Sequence, residues 1–223
     1  MSSLYELSAV TIPIGLDAIQ GDLTLPVDSP AAVIFAHGSG SSRNSPRNKY
    51  VAEMLNQVGI GTLLIDLLTM EEERIDIGTA EYRFNIGLLA ERLVAATDWA
   101  DTDPRLSNLA LGYFGASTGA AAALVAAAER PERIAGVVSR GGRPDLAKGA
   151  LPKVKAPTLL IVGEFDRDVI ELNLQAARAM RAPTEIRIVR GGTHLFEEEG
   201  ALEEVAALAS DWFEDKLIRR RAA

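Results

Sequence analysis

The sequence predicts one α/β domain built on a mostly parallel sheet with helices on both faces. Three observations carry that expectation. Six short, near-continuous apolar runs recur along the chain. Stretches of helical length separate most of them. Ahead of the first run, residues 6–25 alternate apolar and polar positions around Gly15 and Gly21. Strands covered on both faces read as unbroken apolar runs, and alternating strand and helix favours a parallel sheet.

The elements follow in order. Residues 6–25 read as two antiparallel strands joined by a turn. The apolar runs then lie at 32–36, 61–65, 109–114, 134–138, 158–162 and 185–189. The last alternates more than the others, which suits an edge strand. Helices are expected at about residues 46–58, 80–97, 118–129, 169–180 and 200–219. Residues 67–79, with Glu71-Glu72-Glu73-Arg74, could flank the pocket but read rather as a solvated acidic loop. The connection over 140–157 has room for one short helix, which predicts an open site with no large lid. Arg219-Arg220-Arg221 reads as a solvated helix end.

Composition narrows the function classes. The chain has 223 residues, 48% hydrophobic and 24% charged, enough apolar material for one sizeable core. Lys+Arg 23 against Asp+Glu 31 gives −8 with no basic stripe, which argues against nucleic acid and against anionic membranes as partners. Cysteine is absent, which removes a disulfide framework, a thiolate zinc site and a cysteine nucleophile. The first residues carry no signal-peptide pattern, and the small-apolar run at 120–128 is far short of the roughly 20 residues that span a bilayer. A cytoplasmic protein is the expectation.

In a parallel sheet, ligands bind beyond the carboxyl ends of the strands. The third long run ends in Gly115-Ala116-Ser117-Thr118-Gly119, a G-x-S-x-G pattern between a strand and an alanine-rich helix. A sharp turn there lifts the serine hydroxyl clear of the sheet, and its glycines permit close backbone approach. Serine needs a neighbouring base to act as a nucleophile. The chain has two histidines, and His194 in Arg190-Gly191-Gly192-Thr193-His194 follows the final strand. The base in turn needs an acid to fix its tautomer. Gly163-Glu164-Phe165-Asp166-Arg167-Asp168 follows the strand at 158–162. Asp166 is the preferred acid, Glu164 a further candidate, and Asp168 reads as the cap of the next helix. Ser117, Asp166 and His194 thus run in the order Ser…Asp…His.

An oxyanion site would take the Thr118 amide and an amide from His37-Gly38-Ser39-Gly40-Ser41-Ser42, with Ser39 favoured by position. His37 reads as structural. Arg140 and Arg143 follow the strand near Ser139 and are substrate-carboxylate candidates, set against a plain surface role. Phe165 and Phe196 flank the acid and base, where an acyl pocket and simple packing explain them equally. Two distant histidines and no phosphate-loop pattern point to no metal and no cofactor.

Together these residues resemble the α/β-hydrolases, and among them the dienelactone hydrolase-like proteins. The resemblance runs from His37-Gly38-Ser39-Gly40 through Gly115–Gly119 and Asp166 to His194. Residues 43–48 and 83–92 share it. It implies an α/β-hydrolase fold and an esterase-type Ser117–His194–Asp166 triad acting on a small-molecule ester. True dienelactone hydrolases use a cysteine nucleophile, whereas this chain has Ser117, which sets the dienelactone itself apart. Relatives of this subgroup are sometimes joined to phosphoribosyltransferase domains; none is expected within these 223 residues. The expected chemistry is hydrolysis of carboxylic ester, thioester or lactone through an acyl-enzyme, with a rate that rises with pH as the imidazole loses its proton. A non-catalytic binding or sensing protein, and acyl transfer or perhydrolysis by the same residues, are the alternatives.

Overall fold

The computed structural model describes residues 5–219. Strands β1 (Tyr5–Ile14) and β2 (Asp17–Pro26) form an antiparallel hairpin that turns at Gly15, where φ is +61°. Then come β3 (Ala31–Ala36), α1 (Pro46–Gln57), β4 (Gly61–Ile65), α2 (Met70–Thr79) and α3 (Ile86–Thr102). The second half holds β5 (Ala110–Ala116), α4 (Thr118–Glu129), β6 (Ile134–Arg140), β7 (Thr158–Gly163), α5 (Arg167–Ala179), β8 (Thr184–Val189) and α6 (Ala201–Phe213).

One eight-stranded sheet has the order β1-β2-β4-β3-β5-β6-β7-β8. Pairings from β4 to β8 are parallel, and those of β1 with β2 and β2 with β4 are antiparallel. The chain steps from β3 out to β4 and then returns to β5 on the other side of β3. That reversal opens a crevice between the loops after β3 and β5, where open α/β sheets place their ligands.

The unbroken apolar strands have a simple cause. Along β3, Ala32, Ile34 and Ala36 enter one core with Leu89, Leu93 and Ala121. Ala31, Val33 and Phe35 enter the other with Val51, Leu55 and Val205. Successive side chains point to opposite faces, and both faces are covered. Helix α4 is buried along nearly its whole length, with alanines at 120–123, 126 and 127. Methyl side chains let it pack between the sheet, α3 and the segment after β6. On β8 burial alternates, as an edge strand requires.

Two stretches differ from the sequence expectation. Residues 70–79 form a helix rather than a loop. The Thr69 hydroxyl accepts from the Glu72 N–H, and the Glu72 carboxylate accepts from the Thr69 N–H at 2.8 Å. This reciprocal cap was present in the sequence as Thr69-Met70-Glu71-Glu72. Glu72 also pairs with Arg92 of α3 at 2.5 Å. Secondly, α3 begins at Ile86, not near residue 80, because Ala80 closes α2 in the left-handed region and the Asn85 side chain caps α3 through the Leu88 N–H. The 140–157 connection contains only short 3₁₀ turns over Pro144–Lys153, and no large lid covers the carboxyl edge. Arg220 and Arg221 lie outside the described residues. Among those described, no helix is long and apolar enough to cross a membrane.

Candidate functional site

Ser117 sits between β5 and α4 with φ +50° and ψ −119°, a strained conformation for a residue with a Cβ. The turn holds it there with three backbone hydrogen bonds. Its N–H donates to the Arg140 carbonyl at 3.2 Å, and its carbonyl accepts from Ala120 and Arg143 at 3.1 Å each. Both flanking glycines are sterically required. A Cβ on Gly115 would lie 2.4 Å from Ala120 Cα, and one on Gly119 would lie 2.4 Å from the His37 carbonyl oxygen. Close packing of α4 on β3 and β5 therefore depends on the motif's glycines, and that packing forces the serine outward.

On β7, the sheet's carboxyl end carries Asp166. It occupies the N-cap position of α5 yet makes no side-chain cap bond. Its carboxylate is turned to His194 instead, where Nδ1 donates to Oδ2 at 2.6 Å. The acid is largely shielded and the imidazole is partly open. Asp168, expected as the cap, lies in the first turn of α5 because Asp166 takes the capping position itself. Glu164 braces the histidine loop, accepting from the Gly191 N–H at 2.8 Å. The Phe165 N–H donates to Gly192 at 2.9 Å, and Glu198 holds the Thr193 N–H at 3.0 Å. The three residues before His194 are thus held in place.

A cavity of about 250 Å³ brings the predicted residues together. Ser117, His194, Ser39 and Arg140 all line it. The Ser117 hydroxyl makes no hydrogen bond to the imidazole among the described residues; the two face the same space. Such contacts commonly tighten only with substrate bound. Gly38 presses on Ser117, since a Cβ there would lie 3.2 Å from Ser117 Cβ. The loop after β3 consequently lies against the serine, with Ser39 at the rim. The Thr118 N–H is at the first position of α4, where a helix offers it no internal acceptor. These are the two places where an oxyanion site was expected.

His37 supports the loop. Its Nε2 accepts from the Leu67 N–H at 3.1 Å, so Nδ1 carries the proton and donates to the Gly38 carbonyl at 2.9 Å. Burial pushes its pKa below the ordinary value, against the opposing pull of the Gly38 carbonyl and Asp66. Phe196 is buried in the core, whereas Phe165 is exposed, so neither needs a role in the pocket.

The two arginines part company. Arg143 does not reach into the cavity: its Nε and Nη2 donate to Asp145 at 2.9 and 2.8 Å, because the turn after β6 points it away. Arg140, the last residue of β6, is buried beside Ser117. The sequence reading assigned no role to Arg47, near the start of α1, which lines the same cavity and pairs with Glu197 at 3.0 Å. Nothing local marks it, because it arrives from another element. Among the described residues no group of three or more His, Asp or Glu side chains is placed to hold a metal ion.

Comparison with known proteins agrees with this architecture. The alpha/beta hydrolase domain family matches residues 29–209. A dienelactone hydrolase from Anabaena variabilis superposes with a TM-score of 0.95 at 57% identity, over 96% of this chain and 100% of that one. A serine hydrolase without a lid from Xanthomonas campestris shares the fold, with a TM-score of 0.75 at 19% identity over 96% of each chain. A Mycobacterium tuberculosis protein named "Putative phosphoribosyl transferase" is 53% identical over 212 residues. That match takes in 95% of this chain and 46% of the relative, so the chain spans about half the length of the curated relatives it matches. With a family match over most of its length and so near a structural relative, the chain belongs to the alpha/beta-hydrolase family, as a dienelactone hydrolase-like member.

Proposed function

We propose that this chain is a serine hydrolase that cleaves a carboxylic ester, or a related thioester or lactone, of a small molecule. The observation that carries the reading is the Asp166–His194 hydrogen bond at 2.6 Å, made across a shared cavity from a strained, outward-turned Ser117. Three segments far apart in sequence converge there, and each is held by its own backbone bonds.

In this reading Ser117 Oγ attacks the carbonyl carbon while His194 Nε2 takes its proton. Asp166 holds Nδ1–H and stabilises the imidazolium that forms. The Thr118 and Ser39 amides receive the developing oxyanion. His194 then gives its proton to the leaving oxygen, and the alcohol departs. Water, deprotonated by the same histidine, attacks the acyl-enzyme and releases the acid. The transferase in the name of the Mycobacterium tuberculosis relative describes a protein of about twice this length. The geometry of Ser117, His194 and Asp166 supports acyl transfer to water.

Intact mass after exposure to a fluorophosphonate tests the proposal. A single adduct on the wild type and none on Ser117→Ala is expected. The substitution should also lower ester turnover by about 10⁴-fold or more. A folded wild type that takes no adduct would overturn the reading in favour of a binding protein.

A further inference from the structure

Arg140 is a buried cation that no carboxylate pairs with among the described residues. Arg140 lines the cavity with Ser117 and His194, and it is 7% exposed. Nε and Nη1 are buried with no hydrogen-bond partner, and no carboxylate forms an ion pair with it among the described residues. Burying a charge this way is strongly unfavourable unless an anion completes the site. Its pKa is pushed down to about 10, first by burial and then by repulsion from Arg47, so it stays protonated at neutral pH.

Arg47 supplies the second charge. Arg47 lines the same cavity, and its Nε is also buried without a partner. One nitrogen reaches Glu197, whose side chain is 64% exposed. Exposed ion pairs of this kind contribute little, so an entering anion can displace Glu197 readily. Two unit positive charges would then face one small cavity beside the nucleophile.

We propose that Arg140 and Arg47 form a subsite for a doubly charged oxyanion, so that the ester cleaved at Ser117 carries a phosphate monoester group a few bonds from the scissile carbonyl. Two guanidiniums neutralise a dianion fully, whereas a carboxylate leaves one charge over. Planar guanidinium forks also match the oxygens of a phosphate group. The phosphate binds and orients; only the carboxylic ester C–O bond breaks, water supplying OH to the acid and H to the alcohol. This inference rests on the hydrolase reading.

Two readouts separate the inference from that reading. The first is calorimetric binding of phenyl phosphate, benzoate and inorganic phosphate to Ser117→Ala protein, which requires no turnover. Phenyl phosphate should bind about tenfold or more tighter than benzoate. Its affinity should fall about tenfold or more in Ser117→Ala/Arg140→Gln and by less in Ser117→Ala/Arg47→Gln. The exposed Arg74→Gln change, added to Ser117→Ala, should leave it unaltered. The second compares kcat/KM for 2-hydroxyethyl acetate with that for 2-acetoxyethyl phosphate, which differ only by the phosphate; the phosphate ester should be preferred, and that preference should collapse in Arg140→Gln chiefly through KM. Circular dichroism melts confirm that each variant is folded; Arg47→Gln carries the test if Arg140→Gln is not. Benzoate binding as tightly as phenyl phosphate, or phenyl phosphate affinity unchanged in every folded arginine variant, would overturn the subsite and leave the hydrolase standing. Absence of a fluorophosphonate adduct would instead strike the hydrolase reading.

Discussion

Two concavities in this molecule differ more in what lines them than in size. One groove, about 410 Å³, lies where the N-terminal hairpin meets α1 and β4, with Leu7, Thr24, Ala52, Asn56 and Leu64 among its walls. Among the described residues that line it there is no serine and no histidine. The cavity at the carboxyl edge is smaller, about 250 Å³, but gathers Ser117, His194, Arg140 and Arg47. The contrast follows from strand direction. Parallel strands send all their carboxyl ends to one edge, so the loops after β3, β5, β6 and β8 converge there. The antiparallel hairpin contributes surface without convergence. In this fold, chemistry concentrates where strand ends meet, and volume by itself does not mark the place.

The largest way to break that comparison is at Asp166. Asp166→Asn keeps the shape but reverses the hydrogen bond needed at His194 Nδ1, and ester turnover should fall about 10³- to 10⁴-fold with little change in melting temperature. Activity within tenfold of wild type would remove Asp166 from the chemistry. Gly119→Ala acts through packing. Its methyl would meet the His37 and Ala36 carbonyl oxygens at 2.4 and 2.5 Å. A loss of about 3 kcal/mol is expected, seen as a drop of about 8 °C in melting temperature. An unaltered melt would mean that α4 can move off β3, and that Ser117 is not forced outward.

The groove should respond differently. Asn56 Nδ2 donates to the Ile60 carbonyl at 2.9 Å and to Thr62 Oγ1 at 3.1 Å, so Asn56→Ala should cost about 1–2 kcal/mol of stability. Ester turnover should stay within twofold, and a large kinetic effect would join the groove to the site. The smallest effect is a pH dependence set by His37. Burial holds its folded pKa below the ordinary 6.5, so the unfolded chain binds the proton more readily. Its contribution to stability is full above pH 6.5 and is lost as pH falls from there toward the lowered folded value. Melting curves between pH 7.5 and 5.5 should therefore drop further in wild type than in His37→Gln. Parallel drops would show that His37 is not the group titrating.

The Ser117 turn and helix α2 mark the boundary of what a linear reading reaches. Gly115-Ala116-Ser117-Thr118-Gly119 is legible because its requirement is local: two glycines, a turn, a strand before and a helix after. Helix α2 carries an equally local signal in the Thr69–Glu72 cap, but its charged run masked it. Asp166 illustrates a different limit. Asp166, Asp168 and Glu164 lie within five positions, and spacing alone cannot say which carboxylate meets an imidazole 28 residues away. The orientation of the α5 start decides it.

By itself, then, the sequence determined the α/β class, the edge position of β8, the strand runs and the Ser117 turn. Each depends on spacing between near neighbours, which burial on two faces or a tight turn imposes directly. Tertiary structure alone decided that Arg143 turns to Asp145, that Arg140 stays buried without a counter-charge among the described residues, and that Arg47 arrives from α1 to stand near it. Those outcomes depend on how separate loops pack at one sheet edge, and no local pattern encodes a charge's neighbours across the fold.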